Sequence, residues 1–135
     1  MRAVLDTNVI VSGLLFGGLP LKILLAAING EFTFVTSQPL IEELETVLTS
    51  KKFGLTLREI EDATQSLVEA AEIVYPEEHV TVIKRCVADN FVLGCALAGN
   101  CDAIVTGDKQ DLLRLGSFHG IPILSPRSFV SEWLK

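Results

Sequence analysis

Carboxylates are the residues of this chain most able to do chemistry, and three of them stand at places where a strand gives way to a loop or helix: Asp6, Asp89 and Asp108. A fourth comes from Glu43 or Glu45, early in a helix that follows a strand. Acids gathered at a mostly apolar cleft repel one another and shift their pKa values unless a cation balances them. Hard oxygen ligands select Mg²⁺, Mn²⁺ or Ca²⁺ over zinc. A cation so held activates a water for in-line attack on a phosphodiester and stabilises charge on the departing oxygen, with no protein nucleophile. Singly, each acid also has a plain structural explanation: Asp6 and Asp108 as turn formers, Asp89 as a helix cap, the glutamate as solvated surface.

The elements that must position these acids can be read from spacing. Arg2 to Leu5 forms a first strand ending at Asp6-Thr7-Asn8, and a helical stretch around Pro20 to Asn29 closes at Asn29-Gly30. Phe32 to Val35 is strand two. Ser37-Gln38-Pro39 starts a helix whose buried stripe is Leu40, Ile41, Leu44, Val47 and Leu48. At about 100° per residue that stripe leaves Glu42 opposite the core and Glu43 and Glu45 on its two borders, so periodicity does not choose between them. Thr56 to Glu59 matches a capping box for a helix reaching about Ala71, with a short third strand at Ile73-Val74-Tyr75 ended by Pro76. DNFVLGCALA, from Asp89 to Ala98, is apolar nearly all round, as a deeply packed helix is. Ala103 to Thr106 is strand four, Ile121 to Leu124 strand five, and Pro126 begins a last helix.

Alternating strands and helices predict an α/β fold with a mostly parallel, about five-stranded central sheet and helices on both faces, residues 1–135 forming a single domain. In such a sheet the loops leaving the strands share one edge, where ligands bind. Asp102 precedes strand four and belongs at the opposite edge.

Composition excludes several alternatives. The 135 residues carry 11 Lys and Arg against 17 Asp and Glu, a net charge of −6 and the wrong sign for a broad basic nucleic-acid face. Lys84, Arg85, Lys109 and Arg114 do cluster near the acids in sequence, where they offer local phosphate contacts or simply a solubilising surface. Cys86, Cys95 and Cys101 are an odd set without a CxxC pair, which argues against a disulfide framework and structural zinc. His79 and His119 have no apparent Ser or Cys partner, and no phosphate-binding GxxxxGK[ST] loop occurs. Apolar runs stop short of a membrane span, and Asp6 interrupts what would be the apolar region of a signal peptide; the expectation is a cytoplasmic protein without a membrane partner.

VLDTNVIVSGLLF, SQPLIEELETVL and ADNFVLGCALAGNCDAIVTGDKQDLLRL, in that order over nearly the whole chain, resemble the PIN-domain nucleases, particularly the bacterial and archaeal branch of toxins in toxin–antitoxin systems related to VapC. The resemblance implies a three-layer PIN-like fold. It places the family's acids on Asp6 of DTN, Glu43 of EEL, Asp89 of ADN and Asp108 of TGD, all four as catalytic residues and metal ligands, and so favours Glu43 over Glu45. It makes Asn8 and Thr106 supports of the cluster, with Asp111 also facing the site. It further implies endonucleolytic cleavage of RNA with Mg²⁺ or Mn²⁺, leaving a 5′-phosphate and a 3′-hydroxyl, a cognate antitoxin as partner, and a homodimer, which a mean hydropathy of +0.44 permits. One departure stands out. Related sequences carry an acid-rich DPDDN where this chain reads Cys86-Val87-Ala88-Asp89-Asn90, so a second metal position would be weaker.

Two rival readings follow. Asp6 resembles the aspartyl nucleophile of a haloacid-dehalogenase-like phosphatase, and GDKQD its metal motif, but Asn8 stands where that family needs an acid and no cap domain is visible. The other rival is a catalytically weak PIN-fold module that binds RNA or protein.

Overall fold

The computed structural model describes residues 1–76, 87–108 and 111–134. In chain order its elements are β1 (Arg2–Leu5), α1 (Thr7–Phe16), α2 (Gly18–Ile28), β2 (Thr33–Thr36), α3 (Gln38–Leu48), α4 (Leu57–Ala70), β3 (Ala71–Ile73), α5 (Val87–Ala98), β4 (Ala103–Val105), α6 (Leu112–Leu115), β5 (Ser117–Phe118), β6 (Ile121–Leu124) and α7 (Pro126–Glu132). The sheet runs β3-β2-β1-β4-β6-β5, with every pairing parallel except β5 with β6. The fold is therefore α/β with a mostly parallel central sheet.

Alternation along the strands builds the layers. Ala3, Leu5, Phe34, Ala103 and Val105 point into one buried cluster with Val9, Ile23, Leu24, Leu44, Leu67 and Phe129 from α1, α2, α3, α4 and α7. Val4, Val35 and Ile104 point the other way, onto Val92, Leu93, Cys95 and Ala96 of α5 and Leu112 of α6. Helices thus cover both faces. Among the described residues no single helix is long and apolar enough to cross a membrane.

Of the differences from the sequence reading, three bear on the architecture. The first is α1, because spacing assigns no element to residues 9–19. Val9-Ile10-Val11 is β-branched and helix-averse in isolation, and tertiary burial overrides that preference. Its Gly13 permits a close crossing with α2: an added Cβ would stand 2.8 Å from Leu24 Cδ1 and 2.9 Å from the Pro20 backbone. Next, β3 lies at Ala71–Ile73 rather than at residues 73–75, since Ala71 turns extended directly at the end of α4 (φ −88°, ψ 152°). The last is a sixth strand, β5, joined to β6 by a tight turn whose residues His119 and Gly120 both have positive φ, 50° and 79°.

Chain order and sheet order together locate the cleft. From β1 the chain moves outward through β2 to β3 and then returns to place β4 on the other side of β1. The connections reverse direction between β1 and β4, and loops diverge at the carboxyl ends of those two strands.

Candidate metal centre

Asp6 is the first residue after β1 and the N-cap of α1, yet its side chain makes no capping bond to that helix. Its Oδ2 instead accepts from the Thr106 hydroxyl at 2.7 Å and from Asn8 Nδ2 at 3.1 Å. The Thr106 hydroxyl accepts in turn from the Asp108 backbone N–H at 3.0 Å, and Asn8 Oδ1 accepts from the Gly107 N–H at 3.1 Å. These four bonds tie the loop after β1 to the loop after β4. Asp6 is 5% exposed and Thr106 fully buried, so the network lies beneath the surface of the cleft.

Asp108 stands at the start of the α6 turn, where its carboxylate accepts from the backbone N–H groups of Asp111 (3.3 Å) and Leu112 (3.5 Å). Asp89, in the first turn of α5 and 8% exposed, shares a side-chain hydrogen bond with Asp108. One carboxylate oxygen from each of Asp89, Asp108 and Asp111 lies within 4.8 Å of the others. Glu43 reaches the cluster from α3. It is half-buried and feels the charge of Asp6, and its Oε2 is buried without a hydrogen-bond partner.

The electrostatics are those of acids forced together. Burial pushes the Asp6 carboxyl above its ordinary range and outweighs the donors from Thr106 and the Thr7 backbone, with the Asp108 charge adding to the rise. Burial and then Asp6 do the same to Glu43. Asp89 is pushed up to about 7, first by burial, then by the charges of Asp6 and Asp108, the shared hydrogen bond and Asp111. The charged neighbours that raise these three groups are all acids.

The donor set fits a divalent cation. It is all oxygen, three carboxylates already approach to ligand-sharing distance, and the buried Glu43 Oε2 is an acceptor with nothing to accept from. An unpaired buried acceptor costs about 1–3 kcal/mol, more when charged, and a cation would remove that cost.

Asp6, Glu43, Asp89, Asp108 and Asp111 are thus brought together, with Asn8 and Thr106 bonded into the same network. The ambiguity between Glu43 and Glu45 ends in packing: Glu45 is exposed and lines a groove between α3 and α4 with Ile41, Ile60 and Thr64. Asp102 sits at the opposite edge, where its Oδ2 accepts from the Arg2 backbone N–H at 2.8 Å. Arg114 is exposed on α6; Lys84, Arg85, Lys109, His79 and Cys86 lie outside the described residues. His119 is exposed at the β5–β6 turn with its ring edge-on to Phe118. Cys95 and Cys101 are buried thiols pushed up to about 12 by burial, which leaves them protonated and unreactive.

Thr7 is the polar residue of the site that sequence spacing missed. It is 4% exposed, and it favours the charged forms of the Asp6 and Glu43 carboxyls against the larger effect of burial. The available signal was its place between Asp6 and Asn8, but only the approach of α3 to α1 brings Glu43 near it.

Comparison with known proteins agrees with this geometry. The PIN domain family matches residues 2–110. Among solved structures the chain is similar to VapBC2 from Rickettsia felis, determined bound to a DNA fragment from their promoter, with a TM-score of 0.64 and 18% identity over 93% of this chain and 98% of that one. It is similar also to VapBC-1 from nontypeable Haemophilus influenzae, with a TM-score of 0.65 and 19% identity over 94% and 99% of the two chains. At these identities the two structures speak to the fold. No curated protein sequence matches the chain.

Proposed function

Since the chain belongs to the PIN-domain family, we propose that it is a metal-dependent endoribonuclease, the toxin of a toxin–antitoxin pair, with Asp6, Glu43, Asp89 and Asp108 as its catalytic metal ligands. The observation that carries this reading is the buried Glu43 Oε2, left without a partner beside acids that raise one another's pKa. A cleft meant only to bind a neutral or anionic group has no use for such a set.

Asp6, Glu43, Asp89 and Asp108 would hold Mg²⁺ or Mn²⁺, which supplies an activated water and charge neutralisation for hydrolysis of an RNA phosphodiester. Asp111, on the same side as Asp89 and Asp108, adds a carboxylate where residues 86–88 lack the acids of the DPDDN pattern. The protein's own part is orientation. Thr106 and Asn8 fix the Asp6 carboxylate by donating to the same oxygen, Oδ2. The Asp111 and Leu112 N–H groups hold Asp108 in place. Arg114, exposed on α6, would contact a flanking phosphate.

An antitoxin partner is supported by the VapBC assemblies among the solved structures that share the fold. Exposed Phe16, Leu19, Leu25 and Ile28 along α1 and α2 supply apolar surface for a homodimer. Family membership speaks against the phosphatase, as does Asn8, which is engaged with Asp6 and Gly107 where that enzyme would need an acid.

Cleavage of end-labelled RNAs by purified protein with Mn²⁺ or Mg²⁺ tests the proposal, with EDTA and Asp6→Asn as controls. Cutting that needs metal and Asp6 supports it. Metal binding without cleavage of a diverse RNA panel would replace it with the binding-module reading.

A further inference from the structure

A chain of net charge −6 has little general attraction for phosphate, so an RNA at its cleft must be held in part by something other than charge. Stacking of an unpaired base on an aromatic ring is a grip that acidity does not weaken. Among the described residues four Phe, Tyr or Trp side chains are exposed: Phe16, Tyr75, Phe91 and Trp133. Helices α1 and α7 begin at the carboxyl-terminal edge of the sheet, so Phe16 and Trp133, at their far ends, lie toward the opposite edge. Phe91 follows Asp89 by two residues on α5, which turns it about 200° around the helix from that acid.

Tyr75 is left at the cleft. It stands two residues beyond β3, as Asp6 stands one beyond β1, on parallel strands with β2 between them. Val4 pairs with Val35 and Val35 with Glu72, which sets the ends of β1 and β3 level. Two strand spacings place those ends roughly 10 Å apart across the edge. A strand of RNA with one phosphate at the acids can therefore lay a nearby base on Tyr75.

The backbone beneath the ring is firm. The Val74 N–H bonds the Thr36 carbonyl at 2.9 Å, one step past the end of β3, and the Val74 side chain packs against the cluster beneath α5. Pro76 restricts the preceding Tyr75 to extended conformations. The ring itself is 77% exposed. A base can lie flat on such a ring only where it is splayed out of a helix, whereas a duplex keeps its bases stacked on one another.

We propose that Tyr75 is a substrate-binding residue: its ring stacks an unpaired base near the scissile phosphate and so favours single-stranded over duplex RNA. The inference rests on the ribonuclease reading above.

Binding of a fluorescent, unstructured RNA to the full chain in Ca²⁺, with cleavage in Mn²⁺ followed in parallel, tests it in wild type, Tyr75→Ala and Tyr75→Phe. Tyr75→Ala is expected to weaken binding about 10-fold, as loss of one stacked base does. Tyr75→Phe, which keeps the ring, should stay within about 2-fold of wild type. An abasic nucleotide moved along the strand should find a position where wild type loses about 10-fold and Tyr75→Ala loses nothing further. Closing the same sequence in a duplex should abolish the difference between wild type and Tyr75→Ala. Melting temperatures should coincide, because so exposed a ring contributes little to packing. Equal affinity of wild type and Tyr75→Ala for unstructured RNA overturns the proposal, as does an equal loss on the duplex, Tyr75→Phe as weak as Tyr75→Ala, or the lack of any such abasic position. If wild type neither binds nor cuts any RNA tried, the ribonuclease reading falls and this inference with it. RNA cut by wild type and Tyr75→Ala with the same KM overturns this inference alone.

Discussion

The two edges of the sheet treat their acids in opposite ways. At the amino-terminal edge Asp102 accepts from the Arg2 N–H, and Arg2 spends its side chain on an ion pair with Glu72 and a 2.8 Å bond to the Gly99 carbonyl. At the carboxyl-terminal edge the charged neighbours that raise Asp6, Glu43 and Asp89 are other acids, and Asp6 accepts from a hydroxyl and an amide. One edge has resolved its charge within the chain. The other crowds carboxyls together under cover and raises three of them, and a fold keeps such a cost at a site whose stability is completed by something that binds there.

Neutralising one acid at each edge should separate them most sharply. Asp6→Asn is expected to lower metal-dependent RNA cleavage by about 100-fold or more while circular dichroism stays native, since it removes a ligand and keeps the shape. Asp102→Ala should leave cleavage within about 2-fold and lower the melting temperature by a few degrees, for the loss of one hydrogen bond worth about 1 kcal/mol. Cleavage that survives Asp6→Asn would erase the distinction.

Proton linkage gives the next effect. The Asp89 carboxyl stands at about 7 in the fold against an ordinary 3.8, so between those values the folded chain holds a proton that the unfolded chain has released. Stability without metal must then fall as pH rises from about 4 to about 7 and level off above, and the upward shifts of Asp6 and Glu43 act in the same direction. Thermal melts in EDTA across that range check the sign. Asp89→Asn should flatten the slope and melt higher than wild type at pH 8, whereas a wild-type melting temperature that climbs over this window would contradict the shift.

A smaller effect belongs to Thr106, whose hydroxyl serves Asp6 and Asp108 at once. Thr106→Val should destabilise the apo protein by about 1–3 kcal/mol, read from denaturant melts, because a buried acceptor and a buried N–H both lose their partner. Arg2→Ala at the other edge should cost about 1 kcal/mol or less through its exposed ion pair with Glu72.

Most of this frame could be read from the residues. The Thr56 capping box is present, with Thr56 and Glu59 bonding reciprocally, and the strands at Arg2–Leu5, Ala103–Val105 and Ile121–Leu124 fall where β-friendly runs predicted them. Acids that follow strands in a parallel sheet had to share an edge, and the position of Asp102 at the other edge follows from the same rule. Helix α1 escaped because Val9-Ile10-Val11 has no polar face to set a period and owes its helix to burial on all sides. Strand β5 escaped because two residues are too short for any pattern. A helical wheel placed Glu43 and Glu45 symmetrically about the buried stripe, and only the packing of α3 against α1 and α4 distinguishes them; Thr7 depends on the same contact.

Mn²⁺ titration of the metal-free protein by calorimetry at pH 7, repeated in buffers of different ionisation enthalpy, tests the central claim most directly. A cation entering this cluster must displace the proton that the acids share, so binding should release protons and should weaken as pH falls below 7. Saturable Mn²⁺ binding with proton release, lost in Asp89→Asn together with Asp6→Asn, is the predicted result. A wild-type protein that takes up no Mn²⁺, or takes it up unchanged in that double variant, would contradict the assignment of this edge as a metal centre.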